Sequence, residues 1–257
     1  MHWIIQTNIF NEAGWTDLVD TLKRFNIPYS EHKIIPFVGE LLPDIQPSGK
    51  VICMGSYSMR HIATKRNWLP GVFDLEPFHF EIQLQYWGDH MLNADSKVTR
   101  FEDVSFTDSH MFLRPIHDSK VFAGGVFEQE DFMGWKIRVC NLGHDDGSTI
   151  TGDTLVQSCS LKAIYAEYRF WVVKGEIVTA SSYKIGSKAT YQSQVDEVFY
   201  TYVRERVTEW QPLEAFVIDV ADTDKGIKIV EINTLNSSGY YAGDMQKLVM
   251  ALEEAFN

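Results

Sequence analysis

The stretch Ala215-Phe216-Val217-Ile218-Asp219-Val220, followed shortly by Ile227-Lys228-Ile229-Val230-Glu231-Ile232-Asn233, decides the reading of this chain. Both segments have the Val- and Ile-rich composition of strands. Asp222-Thr223-Asp224-Lys225-Gly226 between them carries turn residues. Side chains alternate along a strand, so Glu231 and Asn233 share one face while Val230 and Ile232 take the other. A hairpin would bring Asp219 onto the same surface. Asp, Glu and Asn supply hard oxygen ligands, the set magnesium prefers where it also holds phosphates. The two strands are therefore a candidate nucleotide–metal site, with Asp219, Glu231 and Asn233 as its metal ligands.

Upstream, Glu167-Tyr168-Arg169-Phe170-Trp171-Val172-Val173 reads as another strand. Glu167, Arg169 and Trp171 share a face, with Tyr168, Phe170 and Val172 opposite. Glu and Arg inside an apolar strand cost desolvation energy unless both find partners. A functional pair and a structural ion-pair ladder both meet that demand. Lys174-Gly175-Glu176 makes a tight turn, and Ile177 to Lys184 returns antiparallel, delivering Lys184 near its end. Earlier still, Phe112-Leu113-Arg114-Pro115 precedes Lys120 and Gly124-Gly125. Arg supplies a planar fork of donors, Lys a flexible point charge, and glycines let backbone amides approach an anion. Those parts compose either a phosphate clamp or a hairpin turn with solvated charges. Thr154-Leu155-Val156-Gln157-Ser158 reads as a buried strand or as the backbone lining of an adenine pocket, with Gln157 near the ribose. Beyond Asn233, the small polar side chains from Thr234 to Ser238 suit either substrate orientation or capping of the last helix, where Asp244 would serve the N-terminus.

At 257 residues, 45% hydrophobic and 13% aromatic, the chain can bury a sizeable core and fits one large or two small domains. Its 35 acidic and 23 basic residues give a net charge of -12, which disfavours general affinity for nucleic acid or acidic membranes. Cys53, Cys140 and Cys159 are widely spaced with no CxxC pair, the pattern of reduced thiols rather than a disulfide framework or zinc site. The N-terminus lacks the features of a signal peptide, and no apolar run has membrane-spanning length. The expectation is a cytoplasmic protein.

The first part alternates signals: a strand at Trp3-Ile4-Ile5, a helix marked by Trp15, Leu18, Val19, Leu22 and Phe25, then extended segments at His32 to Ile35 and Val51 to Met54. This suggests a small open α/β sheet. Gly55-Ser56-Tyr57-Ser58 is a turn that would either grip a ligand or simply close the loop. A helix is expected over Phe80 to Leu92. Past Asp95 longer strands dominate, with core-facing helices marked by Val195 to Val207 and Met245 to Phe256. A boundary near residue 95 divides the chain into 1–95 and 96–257. The sequence contains no Walker A loop and no GxSxG nucleophile signature.

In this order, the residues from Arg114 to Asn233 resemble the ATP-grasp superfamily, and most closely the compact clade named for two arginines and a lysine, found in phages and bacteria. The resemblance rests on Phe112-Leu113-Arg114-Pro115 with Lys120, on Glu167-Tyr168-Arg169, and on Asp219 with Glu231-Ile232-Asn233. It covers residues 95 to 257. It implies an α+β fold in which two subdomains clasp ATP, preceded by a small α/β pre-ATP-grasp domain. The implied cofactors are ATP and Mg2+. Arg114 and Lys120 would bind phosphate, and Val156, Gln157 and Glu167 would contact adenine, hinge and ribose. Asp219, Glu231 and Asn233 would hold magnesium. Arg169 and Lys184 would face the γ-phosphate or an acyl phosphate, and Arg114, standing where relatives place a phosphate-binding lysine and assisted by Lys120, would be the third catalytic residue. The implied activity is an ADP-forming carboxylate–amine ligase acting on small-molecule or peptide substrates. Phosphotransfer to a hydroxyl and a nucleotide-binding module with reduced catalysis are the alternatives. The sequence departs from the general pattern in having no long Gly/Ser-rich loop after Arg114; Ala123-Gly124-Gly125 is what remains of it.

Overall fold

The computed structural model describes residues 1–8, 13–35, 39–116, 121–142 and 149–257. It divides the chain into two compact units, Met1–Leu75 with Ile164–Asn257, and Glu76–Ala163. The boundary expected near residue 95 falls inside the second unit.

The first unit opens with β1 (His2–Gln6), α1 (Ala13–Arg24), β2 (Tyr29–Ile35), β3 (Glu40–Leu42), β4 (Val51–Met54), α2 (Met59–Lys65) and β5 (Pro70–Gly71). These strands form a sheet in the order β3-β2-β1-β4-β5, parallel except for β3. A parallel sheet is covered on both faces, so its strands read as unbroken apolar runs. Alternation sorts them: Trp3, Ile5, Ile52 and Met54 pack towards α1, whereas Ile4, Val51 and Cys53 pack with Ile62 and Ala63 of α2. Burial pushes the Cys53 thiol up to about 12, leaving it an inert core group.

The second unit holds α3 (Phe80–Trp87), β6 (Lys97–Arg100), β7 (His110–Pro115), β8 (Gly125–Glu128), α4 (Gln129–Leu142) and β9 (Leu155–Cys159). Its antiparallel sheet runs β6-β9-β7-β8. Phe132, Trp135 and Val139 recur at helical spacing along α4 and join Phe101, Met111, Leu113 and Val156 in an aromatic-rich core. The Phe127 and Trp135 rings stack at 5.5 Å.

The chain then supplies β10 (Ile164–Val173), β11 (Glu176–Ile185), β12 (Lys188–Gln192), α5 (Glu197–Glu209), β13 (Ala215–Thr223), β14 (Gly226–Asn233) and α6 (Met245–Phe256), all belonging to the first unit. Their strands form an antiparallel sheet, β12-β11-β10-β13-β14. Its two faces differ in character. Tyr168 and Phe170 meet the Phe199 and Tyr200 rings of α5 on one. On the other, Trp171 and Val217 join α6, α1 and the first sheet in one core. Two residues along the same face, apolar packing gives way to buried charge. Asp244 caps α6 by accepting from the Lys247 amide at 3.0 Å. Among the described residues, no helix is long and apolar enough to cross a membrane.

Candidate functional site

The site grows out of strand register. Arg169 on β10 lies opposite Asp219 on β13 and Ser181 on β11, and Asp219 lies opposite Glu231 on β14. Four strands thus contribute one cross-sheet row, Ser181–Arg169–Asp219–Glu231. Flanking rows are Thr179–Trp171–Val217–Asn233 on the core side and Lys184–Glu167–Ala221–Lys228 on the other. The hairpin does bring Asp219 to the face of Glu231 and Asn233. A register shift between Asp219 and Val220 leaves Val230 as the extra residue of a bulge at that point.

Asp219 and Arg169 in this row are buried, 1% and 6% exposed, as is Glu167 in the flanking row at 8%, while Glu231 is half-buried. Arg169 answers Asp219 with a two-pronged pair, Nε to Oδ1 at 2.8 Å and Nη2 to Oδ2 at 2.7 Å, and Nη1 donates to the Gly239 carbonyl at 3.2 Å. Such fork-to-fork geometry is the strongest form of charged hydrogen bond. Burial works against the guanidinium charge, but the Asp219 carboxylate outweighs it and holds Arg169 above its ordinary range. Burial, with the nearby Glu231 and Glu167 carboxylates, pushes the Asp219 pKa up, against the opposing pull of Arg169.

The Asn233 amide donates to Asp219 Oδ2 at 3.0 Å and to Glu231 Oε1 at 3.1 Å. Three oxygen-bearing side chains therefore converge within hydrogen-bond distance. Among the described residues, no three His, Cys, Asp or Glu side chains gather as a metal-binding group. The set here is two carboxylates and an amide. Its donor chemistry fits magnesium, because a half-turn of the Asn233 amide exchanges its NH2 for its oxygen and gives three hard oxygens.

Glu167 is also held twice. Lys184 Nζ donates to its Oε1 and Tyr183 OH to its Oε2, both at 2.7 Å. The Tyr183 ring stacks on Tyr241 at 5.1 Å, and Tyr241 stacks on Tyr191 at the same distance. Arg169 lies over Tyr241, its guanidinium carbon 4.8 Å from the ring centroid. The loop after β14 is tied across this face: Ala242 N donates to Ser181 Oγ at 3.1 Å and Asp244 N to Thr179 Oγ1 at 2.8 Å. Its polar side chains are partly structural. Asn236 donates to the Cys53 carbonyl and accepts from Phe73 N.

In the second unit Arg114 faces Gln157 across β7 and β9, and Pro115 faces Val156. Gln157 is buried, and the Val156 side chain belongs to the core, so Val156 has only its backbone to offer a ligand. Gly124 lets β7 come close, since a Cβ there would meet Arg114 Cβ at 2.8 Å. Lys120 lies outside the described residues. The Gly55–Ser58 turn is an internal joint, its Ser56 amide satisfied by Gln6 Oε1 at 2.8 Å and its Gly55 amide by the Asn236 carbonyl at 2.9 Å.

Sequence reasoning missed Tyr183, Tyr241 and Tyr191. Only the adjacency of Tyr183 to Lys184 hinted at the first, and strict alternation argued against it by placing neighbours on opposite faces.

A family model for the ATP-grasp domain, that of family 3 in the clade named for two arginines and a lysine, matches residues 52–252. No curated protein sequence matches the chain. Solved structures share the fold at low identity. D-alanine–D-alanine ligase from Bacillus anthracis complexed with ATP is 12% identical, with a TM-score of 0.62 over 99% of this chain and 97% of that one. The macrocyclase MdnC from Microcystis aeruginosa, bound with precursor peptide MdnA, is 11% identical, with a TM-score of 0.61 over 99% and 100%. A RimK domain ATP-grasp protein from Sphaerobacter thermophilus is 11% identical, with a TM-score of 0.61 over 93% and 92%.

Proposed function

The chain belongs to the two-arginine, one-lysine clade of ATP-grasp domains, and from that premise we propose that it is an ATP- and Mg2+-dependent carboxylate–amine ligase. One observation carries the proposal: Asp219, Glu231 and Asn233 converge beside a buried, fixed Arg169. In this reading those three side chains hold Mg2+. When bound, the ion supplies positive charge to the triphosphate oxygens.

The rest falls to the chain's own groups. Phosphoryl transfer is mainly positioning and charge neutralisation, so it calls for cations rather than a covalent nucleophile. Arg114 and Lys120 bind phosphate, while Val156 (through its backbone), Gln157 and Glu167 place the adenine and ribose. Arg169 and Lys184 face the transferred phosphoryl group. The substrate carboxylate oxygen attacks the γ-phosphorus, and the bond to the β–γ bridging oxygen breaks, releasing ADP. An amine then attacks the acyl carbon, inorganic phosphate leaves with the C–O bond pair, and nitrogen loses its proton to give an amide. The ligases and the macrocyclase among the fold's neighbours support this class.

The test is an ADP-release screen with Mg2+ across amino acids and amine acceptors, read by mass spectrometry. An ATP-dependent amide adduct is the expected result. ADP with a phosphorylated product and no amide would redirect the assignment to phosphotransfer. No ADP release and no ATP binding would end it.

A further inference from the structure

Adjacent residues of a regular strand point to opposite faces. Tyr183 and Lys184 break that rule, since both reach one carboxylate, Glu167, at 2.7 Å. The cause lies in the register. Lys184 pairs with Glu167 and Ser182 with Tyr168, so Tyr183 is the extra residue of a β-bulge. The same residue is skipped on the other side, where Ser182 pairs with Gln192 and Lys184 with Ala189. Bulges re-aim side chains in this way and gather next to active sites.

We propose that Tyr183 is a positioning residue of the nucleotide site: its hydroxyl fixes Glu167, and through it Lys184, beside the Arg169–Asp219–Glu231 row. The inference rests on the ATP-site reading above. Its physical basis is a division of labour on one carboxylate. Tyr183 occupies Oε2, leaving Oε1 to Lys184, whose side chain is 43% exposed and within reach of a ligand. Without the hydroxyl, both oxygens are open to Lys184, and the ammonium is drawn onto the carboxylate and away from phosphate. Burial first, then the Asp219 and Glu167 carboxylates, raise the Tyr183 pKa, so the hydroxyl stays a donor. The ring has a separate job: it stacks on Tyr241 at 18°, and Tyr241 carries Arg169 on its face. Phenylalanine would keep that stack and delete only the donor.

The experiment compares wild type with Tyr183→Phe by steady-state kinetics in ATP, by equilibrium binding of Mg·ATP, and by thermal melting. The expected result is a raised Kd for Mg·ATP and a lowered kcat, so that kcat/KM falls about three- to tenfold, the range a single net hydrogen bond is worth, with a melting temperature close to that of wild type. A fall in kcat/KM with the fold intact marks lost contact with the phosphoryl group, which a merely structural role would not produce. Unchanged kcat/KM and Kd overturn the inference, as does a loss of activity that only accompanies a large fall in Tm. A wild type that binds no ATP overturns the functional reading, and the inference with it. A wild type that binds while Tyr183→Phe binds equally well overturns the inference alone.

Discussion

Arg169 has a structural job that the geometry shows directly. Its guanidinium neutralises Asp219 in a site where both groups are buried. Removing one partner of such a pair leaves an uncompensated buried charge, which costs about 3–5 kcal/mol. Arg169→Met should therefore lose about that much stability at pH 8, measured by urea denaturation. The pH dependence follows from Asp219. Its pKa in the folded state is already raised, and losing Arg169 raises it further. A raised acid costs the fold nothing well below its unfolded value near about pH 4; the cost grows as pH rises from there to the folded value and is level above it. The deficit of Arg169→Met should be smaller near about pH 4 than at pH 8; a deficit independent of pH would contradict the buried pair. At this scale the sequence was informative about types and blind to partners. Glu and Arg within an apolar strand demanded partners, but that Asp219 answers Arg169 and Lys184 answers Glu167 depends on cross-strand register.

Elements were most legible where periodicity was unbroken. The β13–β14 hairpin, α6 and the long β10 and β11 were all visible as alternating or helical patterns. Strands β6 and β12, four and five residues long, were not, because mostly polar, half-exposed segments leave no apolar alternation to detect. The bulges at Tyr183 and Val230 were equally hidden, since an inserted residue shifts the face pattern without changing composition. Close approach between elements gives a prediction here. Gly14 in α1 packs against fully buried Tyr240, and a Cβ at Gly14 would sit 2.4 Å from Tyr240 Cβ. Alanine raises helix propensity by about 0.5–1 kcal/mol over glycine. Overpacking against a rigid Cβ costs about 1–3 kcal/mol. The clash wins, so Gly14→Ala should lower Tm; a rise in Tm would mean that α1 shifts freely away from Tyr240.

For the whole molecule, the family and fold expected from the ordered motifs hold, and the α+β ATP-grasp architecture extends over nearly the full chain. The compact units are less legible. The second is an insertion, Glu76–Ala163, between two halves of the first, and β10 to β14 share a core with β1, α1 and β4. Trp3, Ile5 and Leu18 look like the core of a separate small domain when read alone. Their partners Trp171, Val217 and Leu252 lie far along the chain, and no local pattern announces them. The net charge of -12 also matters at this scale. An acidic protein that takes a polyanion must spend local cations on it, which is why Arg114, Arg169 and Lys184 and a divalent ion are central to the proposal. The most direct test is calorimetric titration of ATP into wild type and Glu231→Gln, each with Mg2+ and with EDTA. Tight binding is expected only for wild type with Mg2+, with the variant indifferent to the metal; equal binding in EDTA, or an equal Mg2+ dependence in Glu231→Gln, would refute the metal site.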